Sequence, residues 1–217
     1  MSFAILGWIK AEIVFPEDGV TLNYTHIMFR WTQEPDCNLY NLVVINSSND
    51  TTVNVHTGRT MYIDQTNFNW GQGYVAMLTP IYENENNAQT TDTISFNIGP
   101  AYTFADLNIE IINAEDTQDG LALFSQVSPN FRMVAIDKLG NQVWNSEFAY
   151  INHWNEHGQL FGMKDGRGVE VNFYDDILWM TPSGTEIDAH EIKQIPNGNY
   201  MGITCLLYTS PSPRDSS

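Results

Sequence analysis

Short runs of apolar and β-branched residues, cut by clusters of Pro, Gly, Asn, Asp and Ser, set the pattern of residues 12–99 and predict strands rather than helices. Ile27-Met-Phe-Arg-Trp31 and Tyr40-Asn-Leu-Val-Val-Ile45 are rich in the side chains that favour a pleated, half-buried surface. Thr51-Thr-Val-Asn-Val-His56 alternates, residues 73–82 make a long strand, and residues 92–98 close the set. Pro16-Glu-Asp-Gly19 and Asn46-Ser-Ser-Asn-Asp50 supply turns between them. About seven short strands at this spacing predict a β-sandwich with Trp31 in its core.

From about residue 100 a repeat takes over. Val134-Ala-Ile-Asp137, two residues, then Gly140-Asn-Gln-Val-Trp144 reads as strand, tight turn, strand. Leu178-Trp-Met-Thr-Pro-Ser-Gly184-Thr-Glu-Ile-Asp188 repeats that pattern, with Gly184 standing 44 residues after Gly140. His157-Gly-Gln-Leu-Phe-Gly-Met163 matches Asn197-Gly-Asn-Tyr-Met-Gly-Ile203 at a shift of 40. The two shifts differ as they would if one inter-strand loop were longer. Strand-like segments at this period suit a propeller blade, whereas the repeats of a β-helix are shorter. Residues 100–204 then hold roughly two blades, against about four to eight in a closed ring. The predicted class is therefore all-β: an N-terminal β-sandwich followed by the first blades of an incomplete β-propeller.

Both ends differ from this pattern. Residues 1–11 contain Phe3-Ala-Ile-Leu-Gly-Trp-Ile9, which is at the short limit of a signal-peptide core and lacks a basic start. They read either as the remnant of a signal peptide or as an exposed lead-in. Residues 205–217, Cys205-Leu-Leu-Tyr-Thr-Ser-Pro-Ser-Pro-Arg-Asp-Ser-Ser217, form a Ser/Pro tract that breaks the repeat in mid-strand. This tract resembles translated sequencing-adapter read-through. Native sequence is accordingly expected to stop near Ile203 or Thr204, which leaves Cys37 without an intrachain partner.

Charge narrows the list of partners. Lys and Arg total 9 against 26 Asp and Glu, a net charge of −17. Such a surface repels phosphate backbones and anionic lipid, so no nucleic-acid partner is expected. No apolar run reaches the roughly 18 residues of a membrane span, so no transmembrane segment is predicted.

The stretch richest in chemistry is Ile187-Asp-Ala-His190-Glu191, followed by Pro196-Asn197-Gly198-Asn199-Tyr200. Asn197-Gly198 predicts a two-residue hairpin turn, since both positions tolerate positive φ. His190 then falls about one strand earlier, where an innermost blade strand would face a central channel. On spacing alone it reads first as a hydrogen-bonded strand histidine. His153 and His157 share a strand face but would stand about 13 Å apart along it, too far for one metal ion. His26 and His56 lack metal-ligand neighbours and read as solvated or capping residues. No metal site and no cofactor are predicted, and Asp165-Gly-Arg-Gly168 reads as a turn rather than a phosphate cradle. The three Asn-x-Ser/Thr triplets at Asn23, Asn46 and Asn49 read as chance in an Asn- and Thr-rich chain.

Two resemblances follow from these residues. Phe29-Arg-Trp31, the Tyr40 strand and Trp70-Gly-Gln-Gly-Tyr74 together resemble a fibronectin type III domain over residues 12–99. Asp188-x-His190-Glu191 with Pro196-Asn-Gly-Asn-Tyr200, together with Gly120-Leu-Ala-Leu-Phe-Ser125 and Ala135-Ile-Asp-Lys-Leu-Gly-Asn-Gln-Val-Trp144, resembles the blade motifs of the arylsulfotransferases. That resemblance implies a secreted, periplasmic or cell-surface bacterial enzyme. It would move a sulfuryl group from a phenolic sulfate to a phenol through a histidine intermediate. It also implies that His190 is an early-blade channel histidine that binds or protonates, with the nucleophilic histidine on a later blade absent from this fragment. The fragment alone would then be inactive. The alternative reading is a non-catalytic surface propeller that binds glycan or protein. A quinone-dependent dehydrogenase propeller accounts for the Trp144-type blade end but less well for His190-Glu191.

Overall fold

The computed structural model describes residues 10–82, 91–102, 110, 113, 115–116, 118–126, 132–146, 150–188 and 190–204. Most of the expected lead-in and the whole of the 205–217 tail lie outside the described residues. Eight strands come first: β1 (Ile13–Phe15), β2 (Thr21–Leu22), β3 (Ile27–Trp31), β4 (Leu39–Asn46), β5 (Thr51–Thr57), β6 (Met61–Asp64), β7 (Gly73–Ile81) and β8 (Asp92–Ile98). Nine follow: β9 (Ala122–Gln126), β10 (Arg132–Ile136), β11 (Gln142–Ser146), β12 (Tyr150–Trp154), β13 (Leu160–Lys164), β14 (Arg167–Val171), β15 (Ile177–Met180), β16 (Ile192–Gln194) and β17 (Tyr200–Gly202). The fold is all-β. Among the described residues there is no helix, hence none long and apolar enough to cross a membrane, and the strands form several small sheets without a closed barrel.

The sheets are β1-β3-β6, β2-β8-β7-β4-β5, β11-β10-β9, β12-β13-β14-β15 and β16-β17. By compactness the described residues divide into two units, one drawn from 1–121 and 136–145, the other from 122–135 and 146–217.

In the first unit the period-2 pattern becomes a two-layer core. Tyr40, Leu42 and Val44 of β4 are buried, as are Tyr74, Ala76 and Leu78 of β7 and Ile94, Phe96 and Ile98 of β8. The antiparallel register sets Leu42 opposite Leu78 and Val44 opposite Ala76. Ile13, Ile27, Phe29 and Trp31 belong to the same core from the three-stranded sheet. The rings of Phe29, Phe68 and Tyr74 lie 5.8, 6.0 and 5.5 Å from that of Phe96. Such offset and edge contacts add to the area these rings bury. At the start of β7 the Tyr74 hydroxyl accepts a hydrogen bond from the Asn69 amide five residues upstream, at 2.9 Å. This bond clamps the turn that enters β7.

Two boundaries differ from expectation. Lys10 and Ala11, expected in the lead-in, belong to the first unit: Ala11 is fully buried in its core, and its amide donates to Glu34 Oε2 at 3.0 Å. Residues 136–145, expected with the blades, gather with the first unit. There the Thr25 amide donates to Val143 O at 2.9 Å, the Asn145 amide to Asn23 O at 3.0 Å, and Trp70 Nε1 to Gln142 O at 2.9 Å. β11 is thus bonded to the β2–β3 loop. Backbone pairing between segments more than a hundred residues apart leaves no periodic trace in either one.

His26 sits half-buried in that loop, in the field of Asp64 and Asp137. Burial dominates and holds its imidazole below the ordinary 6.5, although both carboxylates pull the other way. The unfolded chain therefore takes up this proton first as pH falls. The His26 contribution to stability is complete above about pH 6.5 and is lost as pH drops below it. We expect the urea midpoint to decline between pH 7.5 and pH 5, with a shallower slope in His26→Gln. Equal slopes in the two proteins would show that His26 does not titrate across that window.

The second unit contains the four-stranded antiparallel meander β12-β13-β14-β15 and the hairpin β16-β17. One turn type recurs at 46–50, 137–141, 155–159, 172–176 and 195–199. In each, the first amide bonds to the last carbonyl, the fourth amide bonds back to the first carbonyl, and the fourth residue has positive φ. This is the three-residue hairpin loop, a type I turn followed by a left-handed bulge residue. In four of the five, an Asn or Asp at the first position accepts amide hydrogen bonds from the third and fifth residues, which locks the loop.

The 40-residue repeat is therefore local structure: 155–159 and 195–199 are the same turn between successive strands. The expected two-residue turn at Asn197-Gly198 is corrected, because only Gly198 has positive φ, at 84°. Pro196 suits the first position of a type I turn and extends the loop to three residues. A two-residue turn does occur at Asp165-Gly166, where φ is 52° and 75° and Lys164 pairs with Arg167. The expected strand after Gly184 is also corrected, since residues 185–188 form no strand. The Thr185 amide bonds to Pro182 O, and the Ile187 amide bonds to Gly166 O rather than to β15.

Candidate functional site

His190 is held by what fastens its neighbours. The Asp188 amide donates to Ile203 O at 2.7 Å, and the Ile203 amide donates back to Glu191 O at 3.4 Å. The chain leaving β15 is thus pinned beside the end of β17, two residues before and one residue after His190. Sequence reasoning put His190 on an inner strand. It lies instead in the turn just before β16, with its side chain 84% exposed.

Asp188 organises this turn. Its Oδ1 accepts the His190 amide at 2.9 Å and also lies against the His190 ring at Nδ1. The Asp188 side chain is only 25% exposed. A carboxylate on Nδ1 sets that nitrogen as the N–H donor and turns Nε2 outward, where it can accept or deliver a proton or hold an anionic oxygen. Next to it, Lys193 Nζ donates to Glu191 Oε1 at 2.6 Å, and this contact holds the Glu191 carboxyl below its ordinary range.

A second constellation lies in the same unit. Glu170 of β14 is buried at 3% exposure, and both of its oxygens are engaged. Gln159 Nε2 donates to Oε1, and the Tyr200 hydroxyl donates to Oε2. Burial first, and then the Glu170 contact, pushes the Tyr200 phenol up to about 12. The Tyr200 ring stacks on Trp179 at 3.6 Å and 3°, and Phe161 lies 6.5 Å away. Trp179 and Tyr200 border an open groove of about 660 Å³ that also takes in Ile187, Ile192, Thr185 and Asn199. His190 does not line it.

Sequence reasoning missed this second cluster. Its one visible sign was an acid inside Gly168-Val-Glu-Val171, a strand whose last four residues are all buried. The remaining histidines are scattered. His153 is on β12 with its ring 5.8 Å from Phe161, and His157 is in the 155–159 turn, 3.9 Å from Glu156 Oε1. Among the described residues no group of three or more His, Cys, Asp and Glu is gathered as a metal site. Compared with known proteins, the chain matches no family model and no curated protein.

Proposed function

We propose that this chain is the N-terminal part of a secreted bacterial enzyme resembling the arylsulfotransferases: a fibronectin type III-like sandwich, then the first blades of a propeller. The sandwich reading is supported by the sheet orders β1-β3-β6 and β2-β8-β7-β4-β5 and by the Tyr74 clamp. The blade reading is supported by the meander β12-β13-β14-β15 and by the β16-β17 hairpin that repeats its first turn.

The observation that carries the function is the Asp188–His190 pair. In sulfuryl transfer the bond between sulfur and the phenolic oxygen breaks, a nitrogen–sulfur bond forms on a nucleophilic histidine, and the departing phenolate needs a proton. His190 suits the supporting role. Asp188 fixes the ring orientation through Nδ1, and the outward Nε2, when it carries a proton, either donates to a sulfate oxygen or protonates the leaving oxygen. The nucleophile belongs to a later blade in this reading. The aromatic groove favours a second reading, a binding propeller.

Reading the genomic DNA past the codon for Ile203 separates the two. Further repeats of about 40 residues, with a second histidine and an arginine on inner strands, are expected of the enzyme. Blades without polar inner-strand residues, or a Ser/Pro linker continuing from Cys205, would sink it.

A further inference from the structure

We propose that the groove beside Trp179 and Tyr200 binds a neutral oligosaccharide. The inference goes beyond the sulfuryl-transfer reading and does not depend on it, because His190 lies outside the groove lining.

The floor is aromatic and aliphatic, with Trp179, Tyr200 and Ile192, and the rim carries Thr185, Asn199 and Thr204. The groove volume of about 660 Å³ falls within the range of small-molecule sites. Among the described residues no carboxylate, ammonium, guanidinium or imidazole lines it, in a chain with 26 acidic residues and a net charge of −17. An anionic ligand would find no cation there, and a cationic one would find no carboxylate. A wholly apolar ligand would desolvate the rim hydroxyls and the Asn199 amide without replacing their hydrogen bonds. A sugar ring satisfies both parts, setting its C–H face on the indole and its hydroxyls on the rim.

The aromatic floor is also rigid. Tyr200 is tied through its hydroxyl to buried Glu170, Glu170 is held in turn by Gln159, and Trp179 lies parallel to the Tyr200 ring. The ring platform is therefore ordered before a ligand arrives, which lowers the entropy that binding must overcome.

The test is titration of the full chain with cellotriose, maltotriose and mannotriose, followed by indole fluorescence and calorimetry. At least one is expected to bind saturably. Trp179→Ala should weaken that sugar at least tenfold. Because this change also removes a ring from the β16-β17 packing, the exposed pair Thr185→Ala/Asn199→Ala serves as a second variant. It is expected to weaken binding by about tenfold, the loss of two ordinary hydrogen bonds. Absence of binding by all three sugars, or binding that neither the Trp179 variant nor the double variant changes, overturns the proposal.

Discussion

Phe96→Ala is expected to remove about 3–5 kcal/mol of stability, the range for deleting a large aromatic from a packed core. Phe96 is 1% exposed, and its ring neighbours Phe29, Phe68 and Tyr74 come from β3, the segment entering β7, and β7 itself. The change therefore empties a space that both sheets share and that neither can collapse into alone. Against a typical domain stability of about 5–15 kcal/mol, much of the margin goes. Urea denaturation followed by tryptophan fluorescence should show the midpoint falling at nearly constant slope, and Phe96→Leu should recover part of the loss. A change under about 1 kcal/mol would mean that the ring cluster is not the core.

Glu170→Ala is the second large effect. It leaves the Tyr200 hydroxyl and the Gln159 amide facing a buried space with no acceptor, and β16-β17 loses a tie to the meander. Two hydrogen bonds to a charged group are worth about 3 kcal/mol or somewhat more, after allowance for the cost of burying the carboxylate. Glu170→Gln keeps the shape and one acceptor oxygen and should cost less. The same contact can be read spectroscopically. The folded chain holds the Tyr200 proton beyond the ordinary value of 10.0, up to about 12, so stability falls as pH rises from about 10 towards 12. In Glu170→Ala the Tyr200 titration near 295 nm should shift downward, while burial keeps it above an exposed tyrosine. An unchanged titration would show that Glu170 does not hold the phenol.

Much of the fold was legible because the buried face repeats every second residue. The strands expected at 27–31, 40–45, 73–82 and 92–98 are β3, β4, β7 and β8 to within a residue. The hairpins at 155–159 and 195–199 were visible as a repeat because a left-handed bulge position selects Gly, at Gly158 and Gly198. What escaped depends on partners far along the chain. β1, β2 and β6 are too short to show a period. β11 reads like a blade strand, yet its carbonyls are bonded by Thr25 and Trp70. Glu170 and Tyr200 are thirty residues apart and meet only through the stacking of β17 near β13 and β14.

At the candidate site the i, i+2 spacing of Asp188 and His190 is plain in the sequence, but its structural consequence is not. Strand spacing would put the two side chains on one face of a sheet, whereas a turn brings the ring back onto the carboxylate. The groove had no sequence signal at all, since Trp179, Thr185 and Tyr200 each look like ordinary strand or turn residues.

The most direct test of the account is sulfuryl transfer itself. The protein encoded by the complete gene is mixed with 4-nitrophenyl sulfate and phenol, and release of 4-nitrophenol is followed alongside formation of phenyl sulfate. Acceptor-dependent release is expected, and in His190→Ala it should be slower by about a hundredfold, the loss of one proton donor at the leaving oxygen. No transfer, or transfer at the same rate without the His190 imidazole, would contradict the reading.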